Sequence, residues 1–212
     1  MATFGAVKTA IARRLFDDSN TAVTDIEIGT AINEAIRKWK SQRFWFNATD
    51  ADLTISEDDT ELTLPDDFLI DIPRNAVTIQ YNQETYRVQK YPPARFDALH
   101  RTNSPGRPLY YCNRDGSLEI SPIPDQDYSG KIYYLRDYDD FATDGSADAT
   151  TNGFLTEAQM LIQNEALANL HGEMRQDEKM EERYARRVQI EYNSLKARTN
   201  KLLRTGTLTI EQ

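Results

Sequence analysis

Carboxylates are the residues of this chain whose crowding could do chemistry. Between Phe44 and Pro73 stand nine of them, Asp50, Asp52, Glu57, Asp58, Asp59, Glu61, Asp66, Asp67 and Asp71, with no lysine or arginine among them. Two carboxyl groups on a rigid β scaffold can serve as acid and base, or acid and nucleophile, in glycoside hydrolysis. Such pairs sit in a cleft among buried aromatics, where environment drives their pKa values apart. This run alternates with Ser and Thr in the manner of solvated loops and strand edges, and the catalytic reading is the weaker one. The other reactive types are sparse. His100 lies in a basic loop and His171 in mid-helix, in unrelated contexts. Cys112 is alone, which leaves no internal disulfide and no cysteine-based zinc site. No glycine-rich phosphate loop, HExxH, GxSxG or EF-hand loop occurs. Tyrosines crowd the middle of the chain (Tyr81, Tyr86, Tyr91, Tyr110, Tyr111, Tyr133, Tyr134), and they either grip a carbohydrate or receptor or cover the face of a small sheet. These residues point to no enzyme, no cofactor and no metal.

The elements that position them follow from periodicity. Phe4, Val7, Ile11 and Leu15 share one face of a helix over 3–16. Thr24-Asp25-Ile26-Glu27 is a capping box, after which Ile28, Ile32, Ala35, Ile36 and Trp39 trace a second helix. It runs into Arg43-Phe44-Trp45-Phe46-Asn47, whose three aromatics are expected to wedge between two structural layers. From Ala48 the period changes to two. Strands are expected at 53–55, 61–64, 76–81 and 86–88, a hairpin over 109–120 turning at 113–116, and a last strand at 131–136, punctuated by Pro65, Pro73 and Pro92-Pro93. That pattern predicts a small antiparallel sandwich or barrel.

After a low-complexity stretch at 142–153, the chain from Phe154 to about Thr199 has no proline and reads as one long helix, with Thr156 as its cap and Gly172 as a weak point. Its first half is apolar on nearly every face and predicts burial by several partners. Beyond Arg175 the apolar stripe narrows to Met180, Tyr184, Val188 and Leu195. Opposite it Arg175, Lys179, Arg183 and Arg187 recur at four-residue spacing, while Glu173, Asp177, Glu181 and Glu191 flank the apolar stripe. A patterned charge face of this kind is either solvated or an inter-subunit contact. The tail from Asn200 breaks the helical pattern at Thr205-Gly206 and then alternates. Its Lys201, Leu202, Leu203, Arg204, Leu208 and Ile210 form a candidate docking arm, too apolar for a merely solvated terminus. The predicted class is α+β: a helical body from 1–47 and 154–199, an inserted β module at 48–141, a flexible connector at 142–153 and an extended arm at 200–212.

Composition narrows the setting. Of 212 residues 39% are hydrophobic and 28% charged, and the net charge of −9 argues against a broad grip on nucleic acid. No run is long and apolar enough to span a bilayer, and Met1–Asp18 carries no pattern of a secretory signal.

In order along the chain come RFWFN (43–47), ELTLPDDFLID (61–71), PLYYCNRDGSLEISPIPD (108–125), YYLRDYDDF (133–141) and FLTEAQMLIQNEALANL (154–170). This succession resembles the head-to-tail connector, or adaptor, proteins of tailed bacteriophages over about 4–199, and around RFWFN and LRDYDDF it is similar to the tail tubular A protein of short-tailed phages. The resemblance implies a virion structural protein at the neck, assembled in the host cytoplasm. It implies a ring of about twelve copies beneath the portal, with DNA passing through without sequence-specific binding. The helical part would form the ring body, the β module would face tail or neck proteins, and the C-terminal arm would dock on the portal. Two other readings stay open: a tyrosine-rich binding module, and a tail-associated hydrolase using the acidic run.

Overall fold

In a computed structural model the chain is described over residues 1–16, 23–72, 76–99, 104–114 and 116–205. Its described residues hold six helices and seven strands and divide into two units: Met1–Asn47 with the chain from Tyr138 on, and Ala48–Asp137.

The first unit is helical. α1 (Phe4–Phe16) buries Phe4, Val7, Ile11 and Leu15. α2 (Asp25–Trp39) begins at the expected box: the Glu27 backbone N–H donates to the Thr24 hydroxyl, and the Glu27 carboxylate accepts from the Thr24 N–H at 2.6 Å. The chain then turns through 40–47 around the buried Asn47. Its side-chain oxygen accepts from the Phe44 N–H at 2.9 Å, and its NH₂ donates to the carbonyls of Lys40 and Gln42. Phe44 and Phe46 stack at 5.3 Å, and both meet Phe154 edge-on. The aromatic corner therefore belongs to the core of the helical unit rather than to a wedge between layers.

The expected single helix from Phe154 is three. α4 (Gly153–Glu157) is capped by Asn152, whose side chain accepts from the Leu155 N–H, while Thr156 lies inside it. Ala158 leaves the helical region at φ −122°, and α5 (Gln159–Glu173) follows. The chain breaks again at 174–177 and returns as α6 (Glu178–Thr205). Gln176 takes a left-handed φ of +50°, which a straight helix forbids, and the Asp177 carboxylate accepts from the Met180 N–H as an N-cap. The Glu181 carboxyl group lies against Gly172, 2.8 Å from where a Cβ would stand, and a side chain there would move this flexible carboxylate rather than α6. α6 folds back along α5, with His171 stacked on Tyr184 near the turn. α5 packs against α1, α2, α4 and α6. That explains its all-round apolarity and its buried Gln163, Asn164 and Glu165. Glu165 is held by Lys38 and by the Trp39 indole N–H at 3.0 Å.

Residues 142–153, with little regular structure, are tied to the helices beside them. Phe4 N–H donates to the Thr150 carbonyl, Gly5 N–H to that of Asp148, and Lys8 pairs with the Asp148 carboxylate at 2.6 Å. Just before them the Asn33 amide pairs with both backbone groups of Phe141.

The second unit is one curled mixed sheet, a half-barrel, so the expected α+β class holds and, of the sandwich or barrel expected for this unit, the barrel form is the nearer. Its strands are β1 (Ala48–Ile55), β2 (Phe68–Asp71), β3 (Val77–Tyr81), β4 (Glu84–Lys90), β5 (Tyr110–Arg114), β6 (Ser117–Ser121) and β7 (Tyr128–Arg136), with the short α3 (Pro93–Leu99) after β4. β7 is the hub. One edge pairs with β1 from Ala48↔Leu135 to Ile55↔Tyr128, and the other takes β2 and then β3 in tandem. β3 and β4 form a hairpin through Asn82-Gln83, both at positive φ, the backbone a tight two-residue turn needs. β4 meets β5 in parallel, the one parallel pairing among the described residues of a sheet otherwise antiparallel. A Cβ on Gly130 would lie 2.0 Å from the Thr78 carbonyl, so only glycine admits β3 beside β7 there. The expected strand at 61–64 reduces to a bridge, Glu61↔Glu119. Alternating inward residues of the strands, among them Leu53, Ile55, Val77, Ile79, Leu118, Ile120 and Ile132, make a core of their own.

Candidate assembly interface

The acidic run holds the β unit together one carboxylate at a time. Asp71, fully buried at its side chain, accepts from Lys90 at 2.7 Å and from the Tyr111 hydroxyl at 2.8 Å. Burial, with the neighbouring Asp71 charge, pushes the Tyr111 phenol well above its ordinary value. Asp67 accepts from Tyr134 and Arg136, Asp50 from Lys131, Asp59 from the Ser56 N–H, and Glu61 from Ser117. These contacts scatter the carboxylates over separate strands and turns, although Asp50 and Asp52 share one partner, Lys131, at 2.8 and 3.8 Å.

The tyrosines divide in the same way. Tyr111 and Tyr134 are buried in the sheet's core. Among the more exposed ones, Tyr81 and Tyr86 pack at 6.4 Å and Tyr91 and Tyr110 at 5.0 Å. Guanidinium groups already lie over two of these rings: Arg107 at 3.9 Å from Tyr86 and Arg95 at 4.3 Å from Tyr91. A sugar stacking there must first displace an arginine, which counts against the carbohydrate reading.

His171 is buried, stacked on Tyr184 at 5.4 Å, with neither ring nitrogen paired. Burial, reinforced by the Arg175 charge, lowers its pKa below the ordinary histidine value. His100 lies outside the described residues.

α6 is where the charge pattern is displayed. Tyr184, Val188 and Leu195 are buried toward the helical core, with Met180 partly buried beside them. Lys179, Arg183 and Arg187 stand exposed on α6, with the Arg187 guanidinium 5.5 Å from the Tyr184 ring centre. Arg175 stands apart from them. It lies in the break before α6 and donates to the Leu15 carbonyl at 2.7 Å. Of the acidic flank, Glu173 ends α5, Asp177 caps α6, and Glu181 lies against Gly172. Two exposed residues of α6 lie outside the Arg175–Arg187 series: Arg186, paired with Glu182 at 2.6 Å, and Ile190. A signal for the first was available, since Glu182 and Arg186 are four apart.

The second half of α6 is purely basic. From Tyr192 to Thr205 it carries Lys196, Arg198, Lys201 and Arg204 and no acid, in a chain of net charge −9. Arg198 lies 4.1 Å over the Trp45 ring and reaches Glu157 at 3.5 Å. Of the candidate arm, Lys201, Leu202, Leu203 and Arg204 belong to the last turn of α6, with Leu203 exposed. Leu208 and Ile210 lie outside the described residues.

Among the described residues no helix is long and apolar enough to cross a membrane, and no group of three His, Cys, Asp or Glu is placed to hold a metal ion. Comparison with known proteins gives a family assignment: the model of the SU10 adaptor protein family matches residues 2–208. No curated protein matches the chain.

Proposed function

The chain belongs to the SU10 adaptor protein family, a family of phage head-to-tail adaptors and so of virion structural proteins, and from that premise we propose that its copies close into a ring between portal and tail. The ring, of about twelve copies, extends the DNA channel and takes no part in chemistry. The observation that carries this reading is α6: a helix of 28 residues, packed on one side and displaying a long basic face on an acidic chain. A face of that length and sign is suited to protein contacts repeated around a ring. The portal is the proximal partner, and tail or neck proteins lie beyond. DNA passes without sequence-specific binding, and assembly takes place in the host cytoplasm without a membrane.

Two parts of the chain have roles in this proposal. Residues 201–212, with Lys201, Leu202, Leu203, Arg204, Leu208 and Ile210, dock on the portal. Burying four aliphatic side chains supplies roughly 1.5–3 kcal/mol each before ordering costs, enough to matter when repeated around a ring. Deleting 201–212 shortens α6 by its last turn and should leave a folded, soluble subunit that no longer sediments with the portal. Retained attachment would move the docking site into the helical body.

Lys179, Arg183 and Arg187, with the acidic Glu173, Asp177 and Glu181 around them, contribute to the contact between copies. Exposed pairs are each worth about 0.2–1 kcal/mol, so only their repetition counts. Arg183→Glu with Arg187→Glu should leave the melting temperature of the subunit nearly unchanged and reduce the number of copies assembled on the portal. Undisturbed assembly would make this an ordinary solvated face.

A further inference from the structure

α6 carries an apolar side chain that the helical unit leaves uncovered. Ile190 is 67% exposed. Arg186 and Arg187 lie one turn before it on the same face and Arg183 two turns before it, while Ser194 and Ala197 follow. This is an aliphatic knob with a basic shoulder.

Farther around the same helix is its complement. Glu191 and Leu195 of α6 face the corner between α4 and α5, and with Glu157, Met160 and Leu161 they line an open groove of about 260 Å³. Leu161 and Leu195 are buried and make an apolar floor, with Met160 exposed at the lip. Two carboxylates form the rim. Glu191 is half-buried, and Glu157 keeps much of its exposure, with Arg198 reaching it at 3.5 Å from one side, while the Arg14 guanidinium lies 4.0 Å from the Met160 sulfur at the lip.

We infer that this groove receives the Ile190 face of α6 from a second copy of the chain, so that Ile190 enters beside Met160 and Leu195 while Arg186 and Arg187 meet Glu157 and Glu191. Charge chooses the occupant. An acidic rim over an apolar floor favours an aliphatic group flanked by cations and repels one flanked by acids, and the chain displays such a group on α6. Knob and groove are different patches of one molecule. Their contact is head-to-tail, which propagates into rings or filaments, whereas a patch meeting itself stops at a dimer. A contact confined to one aliphatic side chain and its two neighbours in this groove buries far less area than holds a free dimer. The contact therefore acts among copies already gathered on a template, and in this the inference rests on the ring reading above.

Two single variants test it, Met160→Cys and Ile190→Cys. Both replace exposed side chains, and the native Cys112 is fully buried and leaves the surface free of other thiols among the described residues. Each variant alone, and an equal mixture of the two, is incubated with portal assemblies, treated with a short thiol–thiol cross-linker and run on a denaturing gel, with electron microscopy of the same samples. The mixture should give a band at twice the 24.3 kDa chain mass, and each variant alone should give none. Rings without a mixed cross-link, or cross-linked dimers of Ile190→Cys alone, overturn the contact and leave the ring standing. Copies that fail to gather on the portal at all overturn the ring reading and this contact with it.

Discussion

A buried ring with no partner for either nitrogen is an unusual thing to keep in a helix, and His171 is one. It lies two turns from the start of α6, stacked on Tyr184, with the Arg175 charge lowering its pKa further and Asp177 opposing that. An unfolded histidine takes up a proton below about pH 6.5. The folded one resists it, so the unfolded state binds more protons there and stability rises with pH through that window. The contribution is complete above about pH 6.5 and is lost as pH falls. Melting temperature should therefore drop between pH about 7.5 and 5.5. His171→Leu, which removes both the titrating group and the unpaired nitrogens, should flatten that slope. An equal drop in the variant would assign the pH dependence to other groups. The buried carboxylate of Asp71 is the opposite case, since Lys90 and Tyr111 satisfy it.

The break between α5 and α6 turns a long helix into a hairpin, and it sets which residues α6 displays. Gln176 sits in the left-handed region, where a side chain costs about 1–2 kcal/mol and glycine costs little. Gln176→Gly should leave the subunit as stable or raise its unfolding free energy by up to about 1 kcal/mol in a denaturant titration. In an unbroken helix the same change would cost about that amount, so the sign of the result distinguishes the two backbones. The break was legible only in part. Gly172 was visible as a weak point, but Arg-Gln-Asp-Glu at 175–178 has good helix formers, and the cap at Asp177 acts only once tertiary packing folds α6 back on α5. Where local signals agreed with packing, the elements could be read directly: the Thr24 capping box, the Phe4–Leu15 stripe and the last strand. Two elements were hidden. Pro93 reads as the end of a strand but serves as the first residue of α3, and Phe68–Asp71 was masked by the acids before it. The sheet's parallel step between β4 and β5 follows from the α3 crossover and has no signature in either strand. Of the candidate interface, the charge spacing on α6 was legible, whereas Arg175 is taken out of it by the break and Ile190 escapes a search for charged ridges.

On the scale of the molecule the charges are unevenly divided. Residues 48–137 hold sixteen Asp and Glu against nine Lys and Arg, and the rest of the chain holds eighteen against sixteen. The surplus of negative charge belongs mainly to the β unit, and the concentrated positive charge to α6. Copies of such a chain repel at low salt, and the exposed large apolar side chains that could oppose this, among them Ile26, Met160, Met174 and Ile190 of the helical unit and Ile70 of the β unit, are few among the described residues. On the ring reading proposed above, a template meets the orientational cost once for many copies. The most direct test of the adaptor account is the mass of the purified chain alone and after mixing with its portal. Alone it should run close to the monomer mass of 24.3 kDa at micromolar concentration. With the portal, the complex should gain many chains, about twelve on a closed ring, and lose them as residues 201–212 are removed. A portal whose mass is unchanged by excess chain, at low and at moderate salt alike, would contradict the account.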